Sequence, residues 1–165
     1  RLCRDWSSDV CSSDLELTYL RARSIRVEVV PGITAALACS AYAGIPLTDR
    51  YKASRVTFIA GHSKNGDLDL DWASIVGERH TLVIYMGVAT AAPIARQLIE
   101  HGLNPATPVA VIENGTLPGQ RVIIGEVVNL ESIVRDNAIT APAVIIVGSV
   151  VGHASGLRRY DNDSL

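Results

Sequence analysis

Three short stretches carry residue types that could hold a small polar ligand, and each comes directly after a run of strand-forming residues. After IRVEVV comes Pro31-Gly32-Ile33-Thr34-Ala35-Ala36. A Pro-Gly turn that delivers the chain into a helix leaves the first helical amides without intrahelical partners. Those amides and the Thr34 hydroxyl could receive a carboxylate or another polar group, and the small Ala35 lets a ligand come close. After TLVIYM comes Gly87, with Met86 at the strand exit, where a thioether packs well on a flat ring. After VAVI comes Glu113-Asn114-Gly115-Thr116. Asn-Gly is first a turn signal, and Gly115 also allows a ligand to lie against bare backbone. Each stretch, read alone, is first a plain turn or a core position.

The histidines are less informative. His62 comes after a strand and could bind an acidic substrate group or sit as a solvated loop residue. His101 stands at a helix stop, where an imidazole suits the C-terminal dipole. His80 and His153 have no partners at metal-ligand spacing, so no metal is expected. The chain has no H-E-x-x-H, C-x-x-C, P-loop, G-x-S-x-G or G-x-G-x-x-G, which removes support for zinc, P-loop and serine-hydrolase chemistry.

The elements that must present these residues alternate. Expected strands are Ile25–Val30, Arg55–Ala60, Thr81–Met86, Val109–Ile112, Arg121–Ile124 and Ala143–Val147. Expected helices are the end of one over Glu16–Arg23, then Ile33–Ala43, Trp72–Val76, Thr90–His101 and Asn129–Asp136. An acidic loop, Gly66–Asp71, leads into the third of these helices. An Arg96–Glu100 pair four apart and Gly102 just beyond support the fourth. Alternation of this kind predicts an α/β fold. The close pair of strands flanking Asn114-Gly115 predicts an antiparallel component, hence a mixed sheet. In open α/β sheets ligands collect at the carboxyl ends of strands, where all three stretches lie.

Of 165 residues, 48% are hydrophobic and 19% charged, enough for a real core and against disorder over most of the length. The net charge of −2, from 15 basic and 17 acidic residues, gives no footprint for nucleic acid or an anionic membrane. No apolar run approaches the roughly 18–20 residues of a membrane helix. Arg1–Leu15 differs from the rest of the chain: it is polar and serine-rich and lacks the apolar stretch of a signal peptide. Its last part, DWSSDVCSSDL, resembles the translation of a widely used sequencing adapter residue by residue. That implies a disordered artefactual leader over 1–15 and a native reading frame interrupted at Glu16. Cys39 is then the only native cysteine, which fits a reducing cytoplasm.

Taken in order, the blocks resemble one family. VEVVPGITAALACSAYAGIPLTDR (27–50), DLDWASI (69–75), TLVIYMG (81–87), IARQLIEHGLNPATPVAVIENGTLPGQRVIIG (94–125) and PAVIIVGSVV (142–151) are similar to uroporphyrinogen-III C-methyltransferases, of the tetrapyrrole methylase family. The resemblance covers Glu16–Val151. It implies two α/β domains with the active site between them, here the end of the first over 16–48 and the whole second over 49–151, and then a tail over 152–165. It implies S-adenosyl-L-methionine as cofactor, uroporphyrinogen III as substrate, precorrin-2 for sirohaem and cobalamin synthesis as product, and a homodimer. Thr34, Ala35, Met86 and Gly115 fall on the family's cofactor-binding positions. A substrate with eight carboxylates calls for basic groups, for which Arg50, Lys52, His62 and Arg121 are candidates. The family's G-x-G-P-G-D loop and G-G-D-P segment are absent from this sequence, and with them the half that carries the catalytic acid–base residues. The chain as it stands is therefore expected to be inactive. Alternatives are a relative acting on a later corrin precursor, a diphthine precursor or ribosomal RNA, or a non-catalytic nucleotide-binding module.

Overall fold

The computed structural model describes residues 12–62, 68 and 70–154. Five strands form one mixed sheet: β1 (Arg55–Ala60), β2 (His80–Tyr85), β3 (Pro108–Glu113), β4 (Arg121–Glu126) and β5 (Ala143–Val147), in the order β1-β2-β5-β3-β4. Only β1 and β2 run parallel, joined by a crossover that includes α3 (Trp72–Ile75). The pairs β2–β5, β5–β3 and β3–β4 are antiparallel. This is the expected α/β fold with a mixed sheet. It brings the carboxyl ends of β1, β2 and β3 and the amino end of β5 to one edge, with Tyr85 opposite Val144 and Glu113 opposite both Ala143 and Arg121.

The sheet is covered on both faces, and strict alternation sorts its side chains. Leu82, Ile84, Val109, Val111, Ile145 and Val147 face one layer, made by α3, α4 (Ala91–Glu100) and α5 (Leu130–Asp136). Val83, Tyr85, Ala110, Ile112, Val144 and Ile146 face the other, made by α2 (Ala35–Tyr42), the Ile45–Ala53 connection and a 3-10 turn over Ser149–His153. Coverage on both sides explains why β2, β3 and β5 read as nearly unbroken apolar runs.

Several boundaries differ from the sequence reading. Ile25–Val30 is not a strand: residues 25–34 are irregular, and Val29 and Val30 are exposed. Its β-branched composition favours extended backbone, but a strand needs a ladder partner, and none lies beside it among the described residues. The helix whose end was expected over Glu16–Arg23, α1, runs Ser12–Arg21, so it starts four residues inside the stretch read as a disordered leader. Ser and Asp are the residue types that open helices. Residues 1–11 and part of the Gly66–Asp71 loop lie outside the described residues. Glu100 accepts a hydrogen bond from Gln97 Nε2 (2.9 Å) rather than pairing with Arg96; a cation placed N-terminal to the acid is the weaker order on a helix. Asn114-Gly115 does not make a two-residue hairpin; it opens a longer connection over residues 114–120. The expected tail is ordered at its start, where Gly152 and His153 belong to the 3-10 turn. Gly102 ends α4 as expected, at φ +101°. No helix among the described residues is long and apolar enough to cross a membrane, and none of their side chains form a group of three or more that could hold a metal ion.

Candidate functional site

The edge where β1, β2 and β3 end opens into a hollow of about 900 Å³. One wall is Ile33, Ala35, Ala38 and Cys39 at the start of α2. A second is Tyr85 and Met86 at the exit of β2, and a third is Asn114–Leu117 after β3. Residues Ile139–Val144, leading into β5, close the remaining side. Of the residues expected to bind the cofactor, Ala35, Met86 and Gly115 share this lining, and Thr34 stands immediately beside it.

Local backbone shape depends on these exits. Met86, Asn114 and Thr116 all adopt left-handed φ, at 55°, 50° and 70°. Asparagine tolerates that region; a long thioether residue and a β-branched residue seldom enter it. Such backbone persists only where its surroundings over-determine it, and it collects at ligand sites. Three such residues on one hollow mark this edge as specialised. The Met86 side chain stays 40% exposed at the rim.

The start of α2 is not the open anion cradle that the sequence suggested. Thr34 is its N-cap residue but makes no side-chain cap. Its hydroxyl instead hydrogen-bonds the Tyr85 hydroxyl, and the Ala36 amide donates to that same Tyr85 oxygen at 2.9 Å. The amides of Leu37 and Ala38 donate to the Thr34 carbonyl. Tyr85 thus occupies two of the polar groups that were to receive a ligand carboxylate, the Thr34 hydroxyl and the Ala36 amide. Gly115 also has a structural use: a Cβ there would run into the Cys39 sulfur. Burial pushes the Cys39 thiol pKa up, so it stays protonated and packs as a small apolar group. Asn114 is half-buried on the lining, and its side-chain amide has no hydrogen-bond partner among the described residues.

The basic candidates do not gather at the hollow. Arg121 lies opposite Glu113 and donates from Nε to its carboxylate at 2.6 Å, while its Nη2 donates to the Asn137 carbonyl. Glu113 is 5% exposed and also accepts from the Thr140 amide (2.7 Å) and hydroxyl (3.1 Å). These donors, the Thr140 amide first and Arg121 next, hold its carboxyl below the usual carboxylate range. Arg50 is exposed in the turn closed by Asp49 and Ala53. Lys52 lies in the same turn, with its amide donating to Asp49. His62 is exposed just past β1, on the same edge as Met86 but outside the lining. Thr90 ties that corner together, its hydroxyl donating to the Gly61 carbonyl.

Residues 11–131 match the family Tetrapyrrole (Corrin/Porphyrin) Methylases. This chain belongs to the tetrapyrrole methylases. It is 50% identical over 136 residues to a siroheme synthase of Azotobacter vinelandii (82% of this chain, 29% of that one). It is 52% identical over 147 residues to siroheme synthase 2 of Yersinia enterocolitica (89% and 30%). Among solved structures, it matches the uroporphyrin-III C-methyltransferase of Thermus thermophilus complexed with S-adenosyl homocysteine, with TM-score 0.75 and 28% identity over 88% of this chain and 60% of that one. A cobalt precorrin-4 methyltransferase matches in fold alone, with TM-score 0.75 and 20% identity over 85% and 59%. The methylase chain thus spans about 30% of the length of the curated relatives it matches.

Tyr85 and the Ile139–Val144 segment were missed in the sequence reading, and Glu113 and Asn114 were read only as parts of a turn-bearing stretch with no role of their own. One signal was present: Tyr85 ends an otherwise aliphatic Leu-Val-Ile run with a polar tip, and a buried tyrosine hydroxyl needs a partner. The Ile139–Val144 segment had none, because its place on the lining depends on β5 being inserted between β2 and β3.

Proposed function

We propose that the chain is part of an S-adenosyl-L-methionine-dependent C-methyltransferase acting on uroporphyrinogen III, giving precorrin-2 on the way to sirohaem or cobalamin, and working as a homodimer in the cytoplasm. The observation that carries this reading is the meeting of Ala35, Met86 and Gly115 around one hollow at the edge where the strands end. The donor chemistry fits an adenosyl group. The walls are mostly apolar, the Asn114 amide and the Thr116 hydroxyl are neutral polar groups on the lining, and none of the described lining residues is a cation or a carboxylate. The volume lies in the range of small-molecule sites, roughly 300–1,000 Å³.

S-adenosyl-L-methionine supplies a sulfonium whose methyl carbon is electrophilic. The residues of this chain bind and orient: Met86 offers a thioether face to a flat ring, the Ala35 and Gly115 backbones leave room for close approach, and Asn114 offers an amide for a polar edge. Apolar walls exclude water, and fixing the two reactants in line is the larger part of the task. The charge needed for the substrate's carboxylates falls to exposed groups on the same molecule, among them His62, just past β1 on the same edge. Arg121 remains a candidate through Nη1, which neither Glu113 nor the Asn137 carbonyl engages, and Arg50 through its exposed position.

S-adenosylhomocysteine titrated into the isotope-labelled chain is expected to shift the amide signals of Ala35, Met86 and Gly115 together; signals that stay put throughout the titration would overturn the reading. Methyl transfer to uroporphyrinogen III by the 165-residue chain alone is expected to be undetectable. The family's glycine loops are absent from its sequence, and turnover by this chain would refute the assignment of catalysis to them. A substrate screen of a form that also carries the family's glycine loops separates uroporphyrinogen III from later corrin precursors.

A further inference from the structure

We infer that Tyr85 is a positioning residue that sets the two walls of the hollow against each other through its hydroxyl. The inference rests on the proposed cofactor site and adds to it a residue whose hydroxyl is bonded to protein groups. Tyr85 is the last residue of β2 and 6% exposed; its ring lines the hollow and its oxygen reaches the far wall. There it holds two groups of the α2 entry at once, the Thr34 hydroxyl and the Ala36 amide. The next residue in the chain is Met86. One hydroxyl therefore links the Thr34–Ala36 turn to the Met86 exit across a separation of about fifty residues in sequence.

The linkage matters because, beyond the packing of Ala36 and Cys39 in the core, the described residues give the chain entering α2 few polar ties. Residues 25–34 leading into it are irregular, Ile33 is 72% exposed, and a Cβ on Gly32 would meet nothing within 4 Å. Helix α2 is short and its N-cap side chain does no capping. Without the hydroxyl, the Ala36 amide loses its partner, and the first turn of α2 is free to leave the geometry in which Ala35 and Met86 line one hollow. A site that is competent for only a fraction of the time binds more weakly by that fraction. Losing the hydrogen bonds also leaves a buried donor unpaired, which favours alternative arrangements of the turn.

The test titrates S-adenosylhomocysteine into the labelled chain and into Tyr85→Phe, Thr34→Val and the double variant, with far-UV circular dichroism confirming that each is folded. Tyr85→Phe is expected to bind about tenfold more weakly. It should retain ligand-induced shifts at Met86 and Gly115 while losing those at Ala35. Thr34→Val, which leaves the Ala36 bond in place, should weaken binding less, and the double variant no more than Tyr85→Phe alone. A general loss of stability would diminish all three sets of shifts together. Equal affinity in the unaltered chain and Tyr85→Phe overturns this inference alone, whereas no binding by the unaltered chain overturns the cofactor site and the inference with it. If Tyr85→Phe fails to fold, Thr34→Val decides: affinity equal to that of the unaltered chain overturns the inference, and a selective loss at Ala35 supports it.

Discussion

Gly115 shows how one residue can answer to two constraints. In sequence it marked a turn and a place where a ligand could approach backbone. In the fold its missing side chain is also what lets α2 lie against the β3 exit, since a Cβ would occupy the space of the Cys39 sulfur. Its φ is not left-handed, so alanine is acceptable to the backbone and the penalty comes from packing alone. Gly115→Ala is therefore expected to destabilise the chain by about 1–3 kcal/mol, the usual range for overpacking. Cys39→Ala in the same chain removes the opposing atom and should recover most of that loss. Urea unfolding of the two single variants and the double variant measures this; additive losses would show that the contact is not the cause. The site residues legible in the sequence were those whose types are unusual at a strand exit. Arg121 was only half legible for a related reason: a cation is visible in sequence, but the Glu113 carboxylate that engages it is not, until β3 and β4 are set in register.

Element boundaries were legible wherever apolar patterning was enough to define them. Both β1 and β5 lie where the residues placed them, and β2 to β4 shift by no more than two residues at an end. The Ile25–Val30 segment failed because pairing is a property of two strands, and one run of β-branched residues carries only half of it. Between elements, a pair of polar groups takes over where apolar packing stops. Glu113 links the end of β3 to the start of β4 and to Thr140 ahead of β5. At the opposite edge, His80 joins β2 to β1 through Thr57 Oγ1 at 2.8 Å. Burial, with Arg55 nearby, lowers the His80 pKa from its ordinary 6.5. The signs then differ in mechanism but agree in direction. The fold holds His80 neutral, so below pH 6.5 the unfolded chain binds a proton first and stability falls. Glu113 is held ionised; its contribution is complete above its ordinary 4.5 and is lost as pH falls through the lowered folded value. Asp49, held low by the Lys52 and Tyr51 amides, adds to the same acid limb. Urea midpoints measured from about pH 7.5 to about pH 3 should fall in two stages. His80→Gln should remove the first, and Glu113→Gln should make the second shallower while lowering the midpoint at neutral pH. A midpoint constant over that span contradicts both assignments.

Across the whole molecule, order is unevenly distributed. β2, β5 and β3 lie inside the sheet, sealed by both helical layers, with a strand paired on either side. Residues 26–34 form the contrasting extreme. They make no backbone hydrogen bonds to other described residues, apart from the Thr34 carbonyl that opens α2, and they expose Val29, Val30 and Ile33. Together with Leu37 and Tyr42 on the outer side of α2, they leave apolar surface uncovered next to the hollow. Local opening free energies track such differences, from near zero in unpaired segments to the global value in a buried sheet. Hydrogen exchange of the dilute chain is accordingly expected to be slowest in β2, β5 and β3 and close to the unstructured rate over residues 26–30. Protection of Val27–Val30 at low concentration would contradict the irregular backbone seen there. Protection that emerges only as concentration rises would mean that a second copy supplies the ladder partner, because an unpaired β-branched run beside exposed apolar side chains is a ready template for pairing. The β-forming character read from IRVEVV would then be real but expressed between chains, and the hollow would be bounded on its open side by a neighbour's backbone.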